Sequence, residues 1–236
     1  MTKILMFSIP LMFSSVLQIL FNAADIVVVG KFVGDTALAA VGSNSALINL
    51  VTNLFIGLSI GANVIVARYF GGKQDENTSI AVHTSIALGF ISGIILTLIG
   101  IIGAPFFLRI MLTPEDVLPQ AVLYLRILFA GITSMMFYNF GSAVLRAVGD
   151  TKRPLYFLLL AGIINVILNL FFVIVLKMSV AGVALATILS QALSCVLVRW
   201  CLTKEDSAIK LSCRKIRNNK IRFIEIWKIG LPAGFQ

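Results

Sequence analysis

The sequence predicts an all-α integral membrane protein, a six-helix transmembrane bundle with its N-terminus on the cytoplasmic side. Three observations predict it. Of 236 residues, 59% are apolar and 12% charged, about half the charged share of a soluble domain (~25%), and the mean hydropathy is +1.01. The apolar residues gather into six segments, each longer than the ~20 residues a helix needs to cross the hydrocarbon core. Finally, 19 Lys+Arg stand against 10 Asp+Glu, and they lie between the apolar segments. That placement suits a cytoplasmic membrane face and argues against a nucleic-acid partner.

The first segment covers about 4–29. It begins after Lys3 as a signal peptide would, but it exceeds the ~7–15 residues of a cleavable apolar region and no A-x-A site follows, so it is read as a retained span. Pro10 lies within it and predicts a kink or hinge. The remaining spans are expected at about 36–67, 79–103, 118–146, 154–176 and 179–203, and a seventh begins at about 224. Short punctuators separate them at 30–35, 71–78, 105–114, 149–154 and 177–178. Pro154 falls where a helix tolerates proline best, in its first turn. Gly57 with Gly61 and Gly89 with Gly93 are small-xxx-small pairs, suited to close packing inside the bundle or to a homodimer face. Three cysteines, Cys195, Cys201 and Cys213, imply no disulfide framework.

Basic residues set the orientation. With the N-terminus inside, Lys3, Arg68, Lys73, Arg146, Lys152, Arg153 and nine more from Arg199 to Lys228 are cytoplasmic, fifteen in all; Lys31, Arg109 and Lys177 are outside. The chain divides into a six-helix lobe (1–203), a basic cytoplasmic linker (204–222), which can touch anionic lipid headgroups, and the start of a seventh helix (223–236). That last stretch, EIWKIGLPAGFQ, aligns with KILMFSIPLMFS at an offset of 222 residues: Ile226 matches Ile4, Pro232 matches Pro10 and Phe235 matches Phe13. Two stretches that start a span from the same side, six helices apart, read as a parallel repeat of two lobes. The expectation is therefore one lobe of a twelve-helix, two-lobe protein, with the second lobe missing from this chain.

One carboxylate, Asp25, sits in the second half of the first span, one turn after Asn22. Charge at membrane depth is costly and marks a functional site by default. Counting 1.5 Å per residue puts Asp25 about 6 Å below the outer end of its span, Tyr124 and Arg126 about 9 and 12 Å into the fourth, Asn169 about 10 Å below the end of the fifth with Asn165 one turn deeper, and Thr187 about 12 Å into the sixth. A carboxylate, a phenol, two carboxamides and a hydroxyl in one layer can bind a proton or a small hard cation such as Na⁺. Other readings stay open. Arg126 is a candidate counter-charge for Asp25 in a structural ion pair. Tyr124 fits an outer aromatic belt, Asn165 and Asn169 fit interhelical glue, and Thr187 can bond its own helix. His83 is placed at the membrane interface. Gln18, Asn44, Asn49, Asn53, Asn63, Asn139 and Gln191 either line a wet cavity or bind neighbouring helices.

Four stretches carry a family resemblance: Ala24-Asp25 with VVVGKFVGDTALAAVG behind it, GANVIVARYFGG at 61–72, LRAVGDTKRPLY at 145–156, and NVILN at 165–169 with VAGVALATILSQ at 180–191. In order and spacing the chain resembles the amino-terminal half of a multidrug and toxin extrusion (MATE) transporter. The wider flippase superfamily is similar more loosely. The resemblance implies a multi-pass protein of the cell (plasma or inner) membrane, in which two six-helix lobes rock around a central cavity to exchange organic cations or drugs for H⁺ or Na⁺. It also implies that Asp25 is the acidic residue of the first helix and that Tyr124, Asn165 and Thr187 surround it. Asn169 departs from the pattern, since many similar members carry Asp there.

The reading from sequence is thus an antiporter lobe that uses no cofactor beyond its coupling ion, with Asp25, Tyr124, Asn165, Asn169 and Thr187 as ion-coupling residues. Its substrate is expected to be an amphipathic organic cation, held by aromatic, Met and amide side chains. Two alternatives are a flippase for a lipid-linked, polyanionic precursor and a non-transporting membrane subunit or inert fragment. Enzymatic activity is not expected, because no metal-ligand cluster, nucleophile–base pair or phosphate-cradling loop appears.

Overall fold

The computed structural model describes residues 2–212 and 220–234. Residues 213–219 of the basic linker, Cys213 among them, and Phe235 of the proposed repeat lie outside the described residues. The described chain forms seven α-helices: α1 (Thr2–Phe32), α2 (Asp35–Gly71), α3 (Asp75–Ile110), α4 (Leu118–Ala147), α5 (Lys152–Leu170), α6 (Ser179–Lys204) and α7 (Lys220–Gly234). The first six are long and apolar enough to cross a membrane. They coincide with the six predicted spans and overrun them by a few residues. One element was not anticipated: a single π-helical turn, Phe171–Val175, continues α5 toward its outer end.

The helices are apolar on their outward faces as well as inside. Met12, Ile19, Ile102 and Phe106 are exposed, which is what a lipid solvent permits and water would not. α4 is the central post, packed by α2, α3 and α6. Two apolar clusters form around it. The outer one joins Val29, Ala40, Leu108, Leu125, Phe129 and Val183; the inner one joins Leu58, Ile65, Ile86, Phe140, Leu145 and Leu202. Gly149, at φ 89°, closes α4, and its N–H bonds the Arg146 carbonyl at 3.0 Å, a turn that glycine adopts without steric cost.

The small-residue pairs serve packing within the chain. A Cβ on Gly57 would lie 2.2 Å from the Gly234 Cα, and one on Gly61 would lie 2.4 Å from the Ile226 carbonyl oxygen. Gly230 in turn faces the Leu58 backbone. α2 and α7 therefore meet backbone to backbone, as glycine pairs allow in lipid. His83, expected near the inner membrane interface, is enclosed by protein. It is 2% exposed, donates from Nδ1 to the Ser79 carbonyl at 2.7 Å and accepts the Ser212 N–H at Nε2 over 3.1 Å. The start of the linker is thereby fastened to α3, with Ile209 and Leu211 buried beneath it.

Gly61→Leu is expected to cost about 1–3 kcal/mol through overpacking and to lift α7 from α2. The readouts are a lower melting temperature of the purified chain in detergent and stronger acrylamide quenching of Trp227 in a Trp200→Phe background. Unchanged quenching would contradict the backbone contact.

Candidate functional site

Polar side chains at helical spacing converge between α1, α2, α4, α5 and α6. On α1, Gln18, Asn22 and Asp25 follow one another at i, i+4 and i+7; on α2, Asn49 and Asn53 stand one turn apart. Together with Asn139 of α4, Asn165 of α5 and Thr187 of α6 they line a cavity of about 370 Å³. α1 runs on to Phe32, so Asp25 lies about 10 Å below its outer end at 1.5 Å per residue.

The carboxylate is held by a relay of amides. Asn169 Nδ2 donates to Asp25 Oδ1 and reaches Asn165 Oδ1 at 3.4 Å. Asn165 Nδ2 in turn points to Thr187 Oγ1 at 3.5 Å, and that hydroxyl donates to the Val183 carbonyl at 3.0 Å. Asp25 is half-buried, whereas Asn169 is fully buried. Its Oδ1 has no partner, which is costly away from water. Tyr124 is 7% exposed and lies within electrostatic reach of Asp25. Burial in the outer apolar cluster removes it from an exposed aromatic belt, and it is not among the residues that line the cavity.

Of the residues singled out from sequence, Asp25, Asn165 and Thr187 line the cavity, and Asn169 sits behind them, bonded to the first two. Arg126 does not join them. It is exposed, and its Nε–H donates to the Ile101 carbonyl of α3 at 3.1 Å. The physical reason is helical phase: Tyr124 and Arg126 are two residues apart and leave α4 on different sides. Arg126 is therefore no counter-charge for Asp25 in this structure. Pro10 is buried inside an unbroken α1, with the Ser14 hydroxyl on its carbonyl at 2.9 Å.

The remaining amides divide into two groups. Asn44 donates to the Ala121 carbonyl at 3.1 Å and Asn63 to the Ala143 carbonyl at 2.8 Å, so both join α2 to α4. Gln18, Asn49, Asn53, Asn139 and Gln191 line the cavity. Sequence reading missed Thr52, Tyr138 and Ser190 on the same wall. Ser190, beside Gln191 and one turn after Thr187, carried a legible signal, as did Thr52, beside Asn53 and one turn after Asn49.

The MatE family model matches residues 10–171. The chain is 32% identical to "Probable multidrug resistance protein YpnP" of Bacillus subtilis over 99% of its own length and 52% of that protein's. To "Multidrug export protein MepA" of Staphylococcus saprophyticus it is 23% identical, over 96% and 50%. Among solved structures, a "MOP superfamily" transporter titled as outward-facing superposes at TM-score 0.91, 28% identical, over 99% of this chain and 52% of that one. One titled as inward-facing gives 0.86 at 28% identity, over 92% and 49%. The chain spans about half the length of the curated relatives it matches.

Asn169→Leu removes the amide donor from Asp25 and should lower stability by about 1–3 kcal/mol. Asn22→Ala, an exposed position on the same cavity, should stay within about 0.5 kcal/mol of the parent. Thermal unfolding of the two purified variants in detergent tests the contrast.

Proposed function

The chain belongs to the MatE family, and from that premise we propose that it works as one lobe of a secondary active transporter that exports organic cations in exchange for H⁺ or Na⁺. The observation that carries this reading is the charge of the cavity. Asp25 is the one charged side chain among the described residues that line it, and no Lys or Arg faces it. A polyanionic, lipid-linked substrate would meet no Lys or Arg among those lining residues, Arg146 lying within electrostatic reach of Tyr138 but outside the lining. A cation meets a carboxylate, amides and the ring of Tyr138, the groups that recognise an amphipathic cation.

Coupling follows from having one charge to share. Asp25, with the Thr187 hydroxyl beside it, offers oxygen ligands to Na⁺ or a site for a proton. Asn169 has a buried Oδ1 free to become another ligand when its amide turns. Ion and substrate then compete for the same carboxylate, so entry of one favours release of the other. The gradient supplies about 2.3 kcal/mol per charge per 100 mV, plus a concentration term. Ion binding turns this into motion by favouring one packing of α1 against α5 and α6 over another.

The basic side of the lobe is closed against α7. Arg222 donates to Asn77 Oδ1 at 2.8 Å and to Glu225 Oε2 at 2.9 Å, and stacks over the Tyr69 ring at 4.2 Å. The Tyr69 hydroxyl also bonds Glu225 at 3.2 Å. We read this cluster, with the glycine contact beside it, as the closed cytoplasmic seam of an outward-open state. The fuller superposition on the outward-facing relative supports that reading.

Two experiments test the proposal. Asp25→Asn, placed in the whole transporter, should reduce ion-driven export of ethidium to background while helical content and melting temperature are retained. Normal export would reject the coupling role, and exchanging Na⁺ for choline separates Na⁺ from H⁺. Arg222→Ala removes charged hydrogen bonds worth ~1.5–3 kcal/mol, so it should raise cytoplasmic-side maleimide labelling of Asn53→Cys about tenfold or more in a cysteine-free background. Unchanged labelling would remove the seam from the mechanism.

A further inference from the structure

A second cavity, of about 510 Å³, lies away from the Asp25 cavity and shares no lining residue with it. Its size falls within the ~300–1,000 Å³ of ligand pockets. α3 and α6 each pack along α4 and scarcely touch one another, so a groove remains with α4 as its floor. Ile86, Phe90 and Ile91 form one wall, Cys195 and Arg199 the other, and Thr133, Ser134 and Phe137 the floor. Phe90 and Ile91 are about half exposed, which opens the groove toward the bilayer.

Its basic-side end is built differently. Leu211 closes it, held by its N–H on the Leu202 carbonyl at 2.9 Å and by the neighbouring Ser212–His83 bond. Arg199 stands at the mouth, five residues before α6 ends, about 7 Å along the helix at 1.5 Å per residue. That is the depth at which an arginine reaches the headgroup layer with its stem in the hydrocarbon. The guanidinium has five donors in a fork, so a phosphate can share it with the interaction Arg199 already makes. Lys204, five residues on, lies over the Trp200 ring at 4.5 Å, and Lys210, in the segment that forms the roof, pairs with Asp206 at 3.4 Å, which leaves Arg199 as the cation that lines the groove.

We propose that this groove is a binding site for an anionic phospholipid of the cytoplasmic leaflet, one acyl chain lying between α3 and α6 and the phosphate on Arg199. The charge decides the occupant. An organic cation, the substrate class proposed for the other cavity, is repelled by Arg199. A zwitterionic lipid brings a second positive charge toward Arg199, whereas an anionic headgroup complements it. Since Leu211 belongs to the segment leading from α6 toward α7, a bound lipid also steadies the connection across the seam.

Native mass spectrometry of the purified chain, released from micelles containing equal dioleoyl-phosphatidylglycerol and dioleoyl-phosphatidylcholine, tests this. Phosphatidylglycerol should be retained preferentially. Arg199→Gln should reduce that preference roughly fivefold, the equivalent of the ~1 kcal/mol one basic residue contributes near an anionic surface. Ile91→Trp, at an exposed position on the groove wall, should reduce retention of the lipid itself, while Lys31→Gln at the far end of α1 should change neither. Circular dichroism confirms that each variant is folded. Equal retention of the two lipids, or a preference unchanged in Arg199→Gln, would mean general lipid solvation and overturn the site.

Discussion

Inside hydrocarbon a polar side chain must find its partner in the protein, and that constraint orders this bundle. Each helix satisfies its own backbone, so the amides, hydroxyls and one carboxylate within the spans carry the remaining information. Where two helices touch closely, an amide is spent on a carbonyl of its neighbour, as with Asn44 on Ala121 and Asn63 on Ala143. Where they part, amides face a shared cavity. The same residue type thus serves adhesion or solvation according to the gap in front of it. Asp25 lies at the limit of this rule, since its charge needs both a fixed donor and a wet neighbour. Asn169 supplies the first and the cavity the second.

The seam between α2 and α7 combines two kinds of contact that respond differently to change. Gly57, Gly61, Gly230 and Gly234 bring the backbones together, a dispersion contact that falls away steeply with distance. The Arg222, Tyr69, Glu225 and Asn77 cluster at its end has direction and charge. A seam built from short-range contacts separates over a small displacement. That suits two packed arrangements better than a continuum of intermediate ones.

Much of this was legible in the sequence because lipid makes length and polarity speak directly. The six spans were fixed by apolar runs that water would not tolerate, and the layer holding Asp25, Asn165, Asn169 and Thr187 followed from rise per residue. Azimuth around the helix was harder. Arg126 has the right depth and the wrong direction, because two residues turn a helix by about 200° at 3.6 residues per turn. The π turn at Phe171–Val175 was invisible for another reason. Its residues, FFVIV, suit any apolar helix, and nothing in them marks a shift in hydrogen bonding. The site of His83 depended on Ser212, 129 residues away, and local pattern does not reach that far.

The central helix carries the last step. In the turn and a half from Thr133 to Asn139, Met135, Tyr138 and Asn139 face the Asp25 cavity, while Thr133, Ser134 and Phe137 face the groove of Arg199. The two sets interleave at three- and four-residue spacing, so one stretch of α4 is the common wall of two compartments. One is lined by amides and a negative charge, the other by hydrocarbon and a positive one. On the function and the lipid site proposed above, such a lobe must keep its cation and the anionic lipid from pairing. Asp25 of α1 and Arg199 of α6, in compartments on opposite sides of α4, do so by geometry, since each repels the guest proposed for the other.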